Sequence, residues 1–316
     1  MTELKSERHH WWPVCVSKNW RAEDGKTGWL KPDGSVIRLP PSRLGVIGNG
    51  HHIKMGNDGE STPWDESFER AFDKADSNFP GLIRWLEGLE RHPMRDESAL
   101  TQRFVPVTGD DKMLKIMTEC AVSLAVRGPM NREACVSLAE QLRGGQIPPA
   151  ERNALIGLNM RNSQRIVSDS IGARGKFVVL YSQMKEFVFG DGFFHNVTNA
   201  QMAPNAPKML VPVTPNISIV VCRPSSYIVN PRLTTLMLTD HEVDLCNDAA
   251  MVYSKSAIYF RNHVPELNES FSSAQHEAYA DWTNPIDTLI RAIPGVAQQK
   301  PPDMRLAFPA VPELRR

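Results

Sequence analysis

The residues of this chain best suited to chemistry are imidazoles and carboxylates in three short stretches. The first is Arg8-His9-His10-Trp11-Trp12-Pro13. An imidazole serves as acid, base or metal ligand near neutral pH, and flanking indole rings stack on a base or sugar. The same run equally suits an N-terminal strand whose rings pack into a core. The second is Phe187-Val188-Phe189-Gly190-Asp191-Gly192-Phe193-Phe194-His195. A carboxylate between glycines at the end of an apolar strand sits where a backbone approaches a ligand closely, although an Asp-Gly pair also simply turns a hairpin. The third is His51-His52, after Gly48-Asn49-Gly50. Neighbouring side chains on a strand point to opposite faces, so at most one of this pair joins His10 in a site; a surface loop is the plainer reading.

Charges on the helical stretches add further candidates. Glu66 and Glu69, three apart, share one helical face, by default a solvated one. Arg127 ends an apolar stripe, so it either snorkels outward or pairs with a buried acid. Arg152, Arg161, Arg165, Arg174 and Lys176 offer a basic edge to phosphates or a solvated face. Strong signatures are absent: the chain has no GxGxxG, Walker loop, HExxH, GxSxG or CxxC. GVIGNG has the wrong spacing for a phosphate loop and no helix follows it. The five cysteines (Cys15, Cys120, Cys135, Cys222, Cys246) are odd in number and far apart. They argue against a disulfide framework or a structural zinc site and read as small core hydrophobes.

Three zones must position these groups. Residues 1–62 read as β and loop, with TGWLKPDGSVIRLP as a hairpin turned at Pro32-Asp33-Gly34. Residues 63–172 read as helical. Thr62 caps and Pro63 opens the helix WDESFERAFDKAD, which Asn78-Phe79-Pro80 interrupts before GLIRWLEGLER. Met113, Ile116, Met117, Cys120 and Leu124 make a core-facing stripe that ends at Gly128-Pro129. A shorter helix runs from a cap at Asn131 to a stop at Gly144, and a five- or six-turn helix opens at the prolines before Ala150. Residues 173–262 return to β in KFVVLYS, EFVFG, KMLVPVT, ISIVVC, LTTLMLT and AIYF, with one helix capped by Asp240. A helical region at 263–293 and a Pro-rich tail at 294–316 close the chain.

Composition bounds the class. The 316 residues carry 36 basic and 36 acidic side chains, 41% hydrophobic and 23% charged residues, which excludes a disordered or fibrous chain. A formal net charge of zero argues against holding nucleic acid by bulk charge, leaving only a local basic face. No apolar run approaches membrane-spanning length and the N-terminus has no signal-peptide core, so the expected location is cytoplasmic.

In order and spacing, these motifs resemble an uncharacterised, mainly bacterial domain-of-unknown-function family, family 4238. Its members carry an N-terminal His-Tyr-x-Pro, a later Phe-x-x-Ser-Asp-Asn-Pro and a Pro-Leu-Ser/Thr-Pro segment. His10-Trp11-Trp12-Pro13 is similar to the first, FVFGDGFF to the second with Asp191 at its Asp, and Val211–Pro215 to the third. WDESFERAF and SLAVRGPMNRE are similar to the family's Glu-bearing helix and Arg-x-Pro helix end, and the helix bearing Asn247 to its closing helix. The likeness spans residues 8 to 262. The chain departs from it at Trp11 and at Gly190, Gly192 and Phe193, where the carboxylate is kept but its hydrogen-bonding neighbours are not. The resemblance implies no reaction.

The expected fold is α+β: a mixed or antiparallel sheet built from the N- and C-terminal β segments and covered by the central helical block. Two functional readings stand. In one, the chain is a hydrolase acting on a phosphoester, with a nucleotide or nucleic acid as partner and a defence or toxin role conceivable. His10 and Asp191 then serve as base or metal ligand, Glu66 as second carboxylate and Arg127 as phosphate or structural partner. In the other, the chain is a non-catalytic binding or scaffold protein in which His10 and Asp191 are a structural pair.

Overall fold

The computed structural model describes residues 8–48, 50–53, 66–93, 99–197, 206–280 and 284–297. In its first part lie strands Arg8–His10 (β1), Thr27–Leu30 (β2), Val36–Leu39 (β3), Val46–Gly48 (β4), His52–Ile53 (β5) and Glu66–Ser67 (β6), with a short helix Val14–Ser17 (α1) after β1. The middle holds helices Arg70–Glu87 (α2), Asp111–Arg127 (α3), Pro129–Arg143 (α4) and Pro149–Ile171 (α5), with strand Val105–Val107 (β7) between α2 and α3. Strands Lys176–Tyr181 (β8), Phe189–Gly190 (β9), Lys208–Thr214 (β10), Ile217–Cys222 (β11), Leu233–Met237 (β12) and Ile258–Phe260 (β13) follow. Helix Asp240–Tyr253 (α6) lies between β12 and β13, and Glu269–Ser272 (α7) and Pro285–Ala292 (α8) end the described chain.

The α+β class holds, but the single expected sheet does not. Strands pair as one five-stranded sheet, β10-β11-β8-β12-β7, one four-stranded sheet, β3-β2-β13-β9, and the pairs β1-β4 and β5-β6. The N- and C-terminal segments do meet, in the four-stranded sheet, where β2 pairs with β13. The five-stranded sheet is instead built from late strands plus β7; β8 and β12 run parallel and their other neighbours antiparallel. Its strands are apolar on both faces and so need two covering layers. Phe177, Val179 and Tyr181 join the core with Leu114, Met117 and Ala121 of α3. Val178 and Leu180 join Val243 and Ala249 of α6 and Leu289 of α8. The central helices therefore cover one face, and helices after β12 cover the other.

Several element boundaries moved. The helix expected from Trp64 starts at Arg70, because Glu66 and Ser67 pair with Ile53 and His52 as a strand; the expected cap Thr62 and Pro63 lie outside the described residues. Pro80 does not interrupt α2, which runs through it. A helical proline leaves the carbonyl four residues back without its N–H donor. Here that carbonyl, of Asp76, receives the Cys15 thiol at 3.5 Å. Asn131 is not a cap but sits inside α4, donating to the Val126 carbonyl at 2.6 Å. Thr239, not Asp240, caps α6 through a reciprocal pair with Glu242. The expected tail starts docked, since Val296 bridges Tyr227; residues 298–316 lie outside the described set.

The N-terminal tryptophans anchor the sheets. The Trp12 ring stacks on Phe189 at 4.4 Å and on Tyr259 at 4.6 Å, and meets Trp20 edge-on at 5.5 Å. Gly45 lets this happen, because a Cβ there would lie 2.4 Å from the Trp12 Cβ.

His195 gives the fold a pH dependence. It bridges Met209 and is buried, and burial first, then His276, pushes its pKa from 6.5 down to about 3. The unfolded chain therefore binds this proton from pH 6.5 downward while the native chain does not. Stability present above pH 6.5 is lost as the pH falls toward 3, by about 1.4 kcal/mol per unit for this group. Urea midpoints at pH 7.5 and 5.5 should show His195→Gln losing less stability over that step than the wild-type protein. Equal slopes would remove His195 as a cause.

Candidate functional site

One cavity brings six titratable side chains together. β1 pairs antiparallel with β4, His9 opposite Ile47 and His10 opposite Val46, which sets the first histidines beside the turn at Gly50-His51. Pro13 then turns the chain into α1, and α2 passes alongside. The resulting cavity, of about 370 Å³, is lined by His10, Cys15, His51, Glu69, Asp76 and Arg127 among others. Glu69, Phe72 and Asp76 lie at i, i+3 and i+7, so one face of α2 supplies both carboxylates.

Arg127 forms the firmest contact here. It is buried (1% exposed) against Asp76 (39%), and two guanidinium nitrogens donate to the two carboxylate oxygens at 3.0 and 2.6 Å. Its Nε donates to the Ser123 carbonyl at 3.2 Å and its Cζ lies 4.8 Å from the Phe72 ring centroid. Such a fork fixes both partners' orientation, while each terminal nitrogen keeps a second N–H.

Three imidazoles cluster beneath the other wall. His9 lies 4.8 Å from the His51 ring and 4.6 Å from the His52 ring, centroid to centroid. The His51 backbone N–H donates to His9 Nδ1 at 3.3 Å. In a neutral imidazole this leaves the proton on Nε2, which faces Glu69 Oε2 at 3.6 Å. Burial, followed by the charge of Arg127, pushes the His51 pKa down to about 2, so its ring is neutral throughout the physiological range. Burial and Asp76 push the Cys15 thiol up to about 11. It is therefore a thiol at neutral pH and a poor nucleophile.

Of the residues expected from sequence, His10 and Arg127 line this cavity and Glu66 and Asp191 do not. Glu66 is exposed on β6, where both its oxygens take the Arg161 guanidinium at 3.1 Å. Because the helix starts late, Glu66 and Glu69 share no helical face, and Glu69 is the glutamate at the cavity. Asp191 is buried, and its oxygens accept the backbone N–H groups of Lys255 at 2.8 Å and Ser256 at 3.0 Å. Burial pushes its carboxyl up, opposed by His276 and these N–H groups. The flanking glycines do serve close backbone approach, but to the chain itself: a Cβ on Gly192 would lie 1.8 Å from the Tyr253 carbonyl oxygen, and one on Gly190 2.0 Å from Ser254 Oγ. Nor do the late arginines form a basic edge with Lys176. Lys176 is fully buried, and Arg152 and Arg161 pair with Glu140 and Glu66.

His9, His51, Glu69 and Asp76 were the residues that single-motif reading missed or set aside. The usable signal for Asp76 was Arg127 itself, which needed an acid, and the i, i+7 spacing from Glu69. A larger cavity, about 620 Å³, lies at the C-terminal ends of β8 and β12. Its cations are engaged in packing: Arg91 lies 4.4 Å over the Tyr181 ring, and Arg261 binds Glu186 and Asn216. The smaller cavity therefore carries the stronger chemistry. Comparison of the chain with protein-family models, with curated proteins and with solved structures finds no match.

Proposed function

We propose that the cavity between β1, α1 and α2 is the reaction centre of a hydrolase acting on a phosphoester, with a nucleotide or nucleic-acid-like compound as substrate. The observation that carries this reading is convergence: His10 and Arg127, remote in sequence, open onto one cavity with His51, Glu69 and Asp76. That is the set of convergent polar groups a reaction centre needs. His10 takes the proton of the attacking water, and the second N–H groups of Arg127, already oriented by Asp76, bind phosphoryl oxygens. Asp191 has no part in this chemistry. Its buried, backbone-bound carboxylate favours the structural role that the scaffold reading gave it.

The test is turnover of p-nitrophenyl phosphate and its diester. A general base contributes about 10²- to 10⁴-fold, so His10→Ala should lose that much of kcat/KM with an unchanged thermal midpoint. Full turnover in His10→Ala would overturn the assignment.

A further inference from the structure

The geometry points to a metal site in the floor of the same cavity: His9, His51 and Glu69 form a three-ligand seat for one divalent ion of the zinc class, its fourth position open to the cavity. Their candidate ligand atoms all lie within 4.8 Å of one another. The inference does not rest on the hydrolase reading, since an ion can be bound where no ester is cleaved.

Two observations support it. Two imidazole nitrogens and one carboxylate oxygen are the donor set of open, catalytic zinc sites, whereas magnesium and calcium take oxygen ligands. His51 is 3% exposed, and its Nδ1 is buried without a hydrogen-bond partner among the described residues. A buried imidazole nitrogen left without a partner is a cost that a metal bond removes. A dication there makes the cavity, which also holds Arg127, more receptive to an anionic ligand.

Loading requires two adjustments. Bonds of about 2.0–2.1 Å in a tetrahedron space the ligands about 3.4 Å apart, so the set must contract. Glu69, with half of its side-chain surface exposed, supplies that movement. His9 must carry its proton on Nδ1 when Nε2 binds the ion, giving up the long 3.3 Å contact from the His51 amide.

The test uses the full chain stripped with EDTA and titrated with zinc chloride in a calorimeter, with cobalt(II) absorption as a second readout. One zinc per chain is expected, with a raised thermal midpoint and a cobalt spectrum of tetrahedral intensity. Glu69→Gln should weaken binding by tenfold or more, and His51→Asn should abolish it. Glu87→Gln, on the same helix, should leave affinity unchanged. Glu69 is exposed, so its variant stays informative if the buried His51 variant fails to fold. Absence of stoichiometric binding, or equal affinity in Glu69→Gln, overturns the site. Stoichiometric zinc without turnover removes the hydrolase reading and leaves the metal site standing; turnover by a protein that binds no stoichiometric zinc does the reverse.

Discussion

Asp191→Ala should destabilise the protein by about 3 kcal/mol, because charge-assisted hydrogen bonds of this kind are worth about 1.5–3 kcal/mol each. The carboxylate takes the backbone N–H groups of Lys255 and Ser256 just past the end of α6. Its own backbone N–H donates to the Ala257 carbonyl at 3.1 Å, tying the same turn from the other side. Removing the side chain leaves the backbone donors of the half-buried Lys255 and the exposed Ser256 without this charged acceptor. In a chain of 316 residues such a loss lowers the thermal midpoint by about 5 °C. Asp191→Asn, which keeps one acceptor oxygen, should fall between wild type and alanine. If Asp191 instead did chemistry, both variants would lose turnover while keeping the wild-type melting curve. Urea denaturation of the three proteins separates the two outcomes.

Lys176→Met should cost more, about 3–5 kcal/mol, because three backbone carbonyls lose a charged donor and each buried acceptor left unsatisfied costs about 1–3 kcal/mol. Lys176 is fully buried. An ammonium has three donors, and three backbone carbonyls meet it: Val229 at 3.3 Å, Pro231 at 2.7 Å and Pro294 at 2.7 Å. The side chain thus ties the start of β8 to the loop before β12 and to the segment after α8. Burial lowers its pKa, and the three carbonyl dipoles favour the charged form. Methionine fills the volume but leaves the carbonyls without a donor. Hydrogen exchange should show the loss first at Ile228 and Ala297, whose amides donate to Gly295 and Ser226 across the same junction. A loss below about 1 kcal/mol, the worth of an ordinary hydrogen bond, would show that the clamp adds nothing beyond one such bond.

These two residues show what was legible in the sequence. Both sat in stretches whose secondary structure was readable: KFVVLYS is β8, and the Gly-Asp-Gly run follows a short strand that begins at Phe189. The period of the apolar residues placed α3, and the opening prolines and the Pro32-Asp33-Gly34 turn placed α5 and the β2-β3 hairpin, because local pattern decides such elements. Which carboxylate does what was not local. Glu66 and Glu69 differ only in that tertiary pairing makes Glu66 a strand residue, and the glycines around Asp191 suit a ligand and a neighbouring helix end equally well. The tryptophans after His10 were a similar case, since their stacking partners Phe189 and Tyr259 lie far along the chain. Pro80 misled for the opposite reason: its helix survives because the orphaned Asp76 carbonyl finds the Cys15 thiol.

Whether the cavity at His10 is the working centre is read most directly from the imidazole resonances of the protein titrated with phenyl phosphate. Ligand in the cavity should shift His10 and His51, which line it, while the resonances of His195, buried on the β10 side, stay in place. Saturable shifts confined to His10 and His51, and lost in a variant lacking Glu69 or His10, are the predicted result. Shifts that spare both residues, or spread evenly over every histidine, would contradict it.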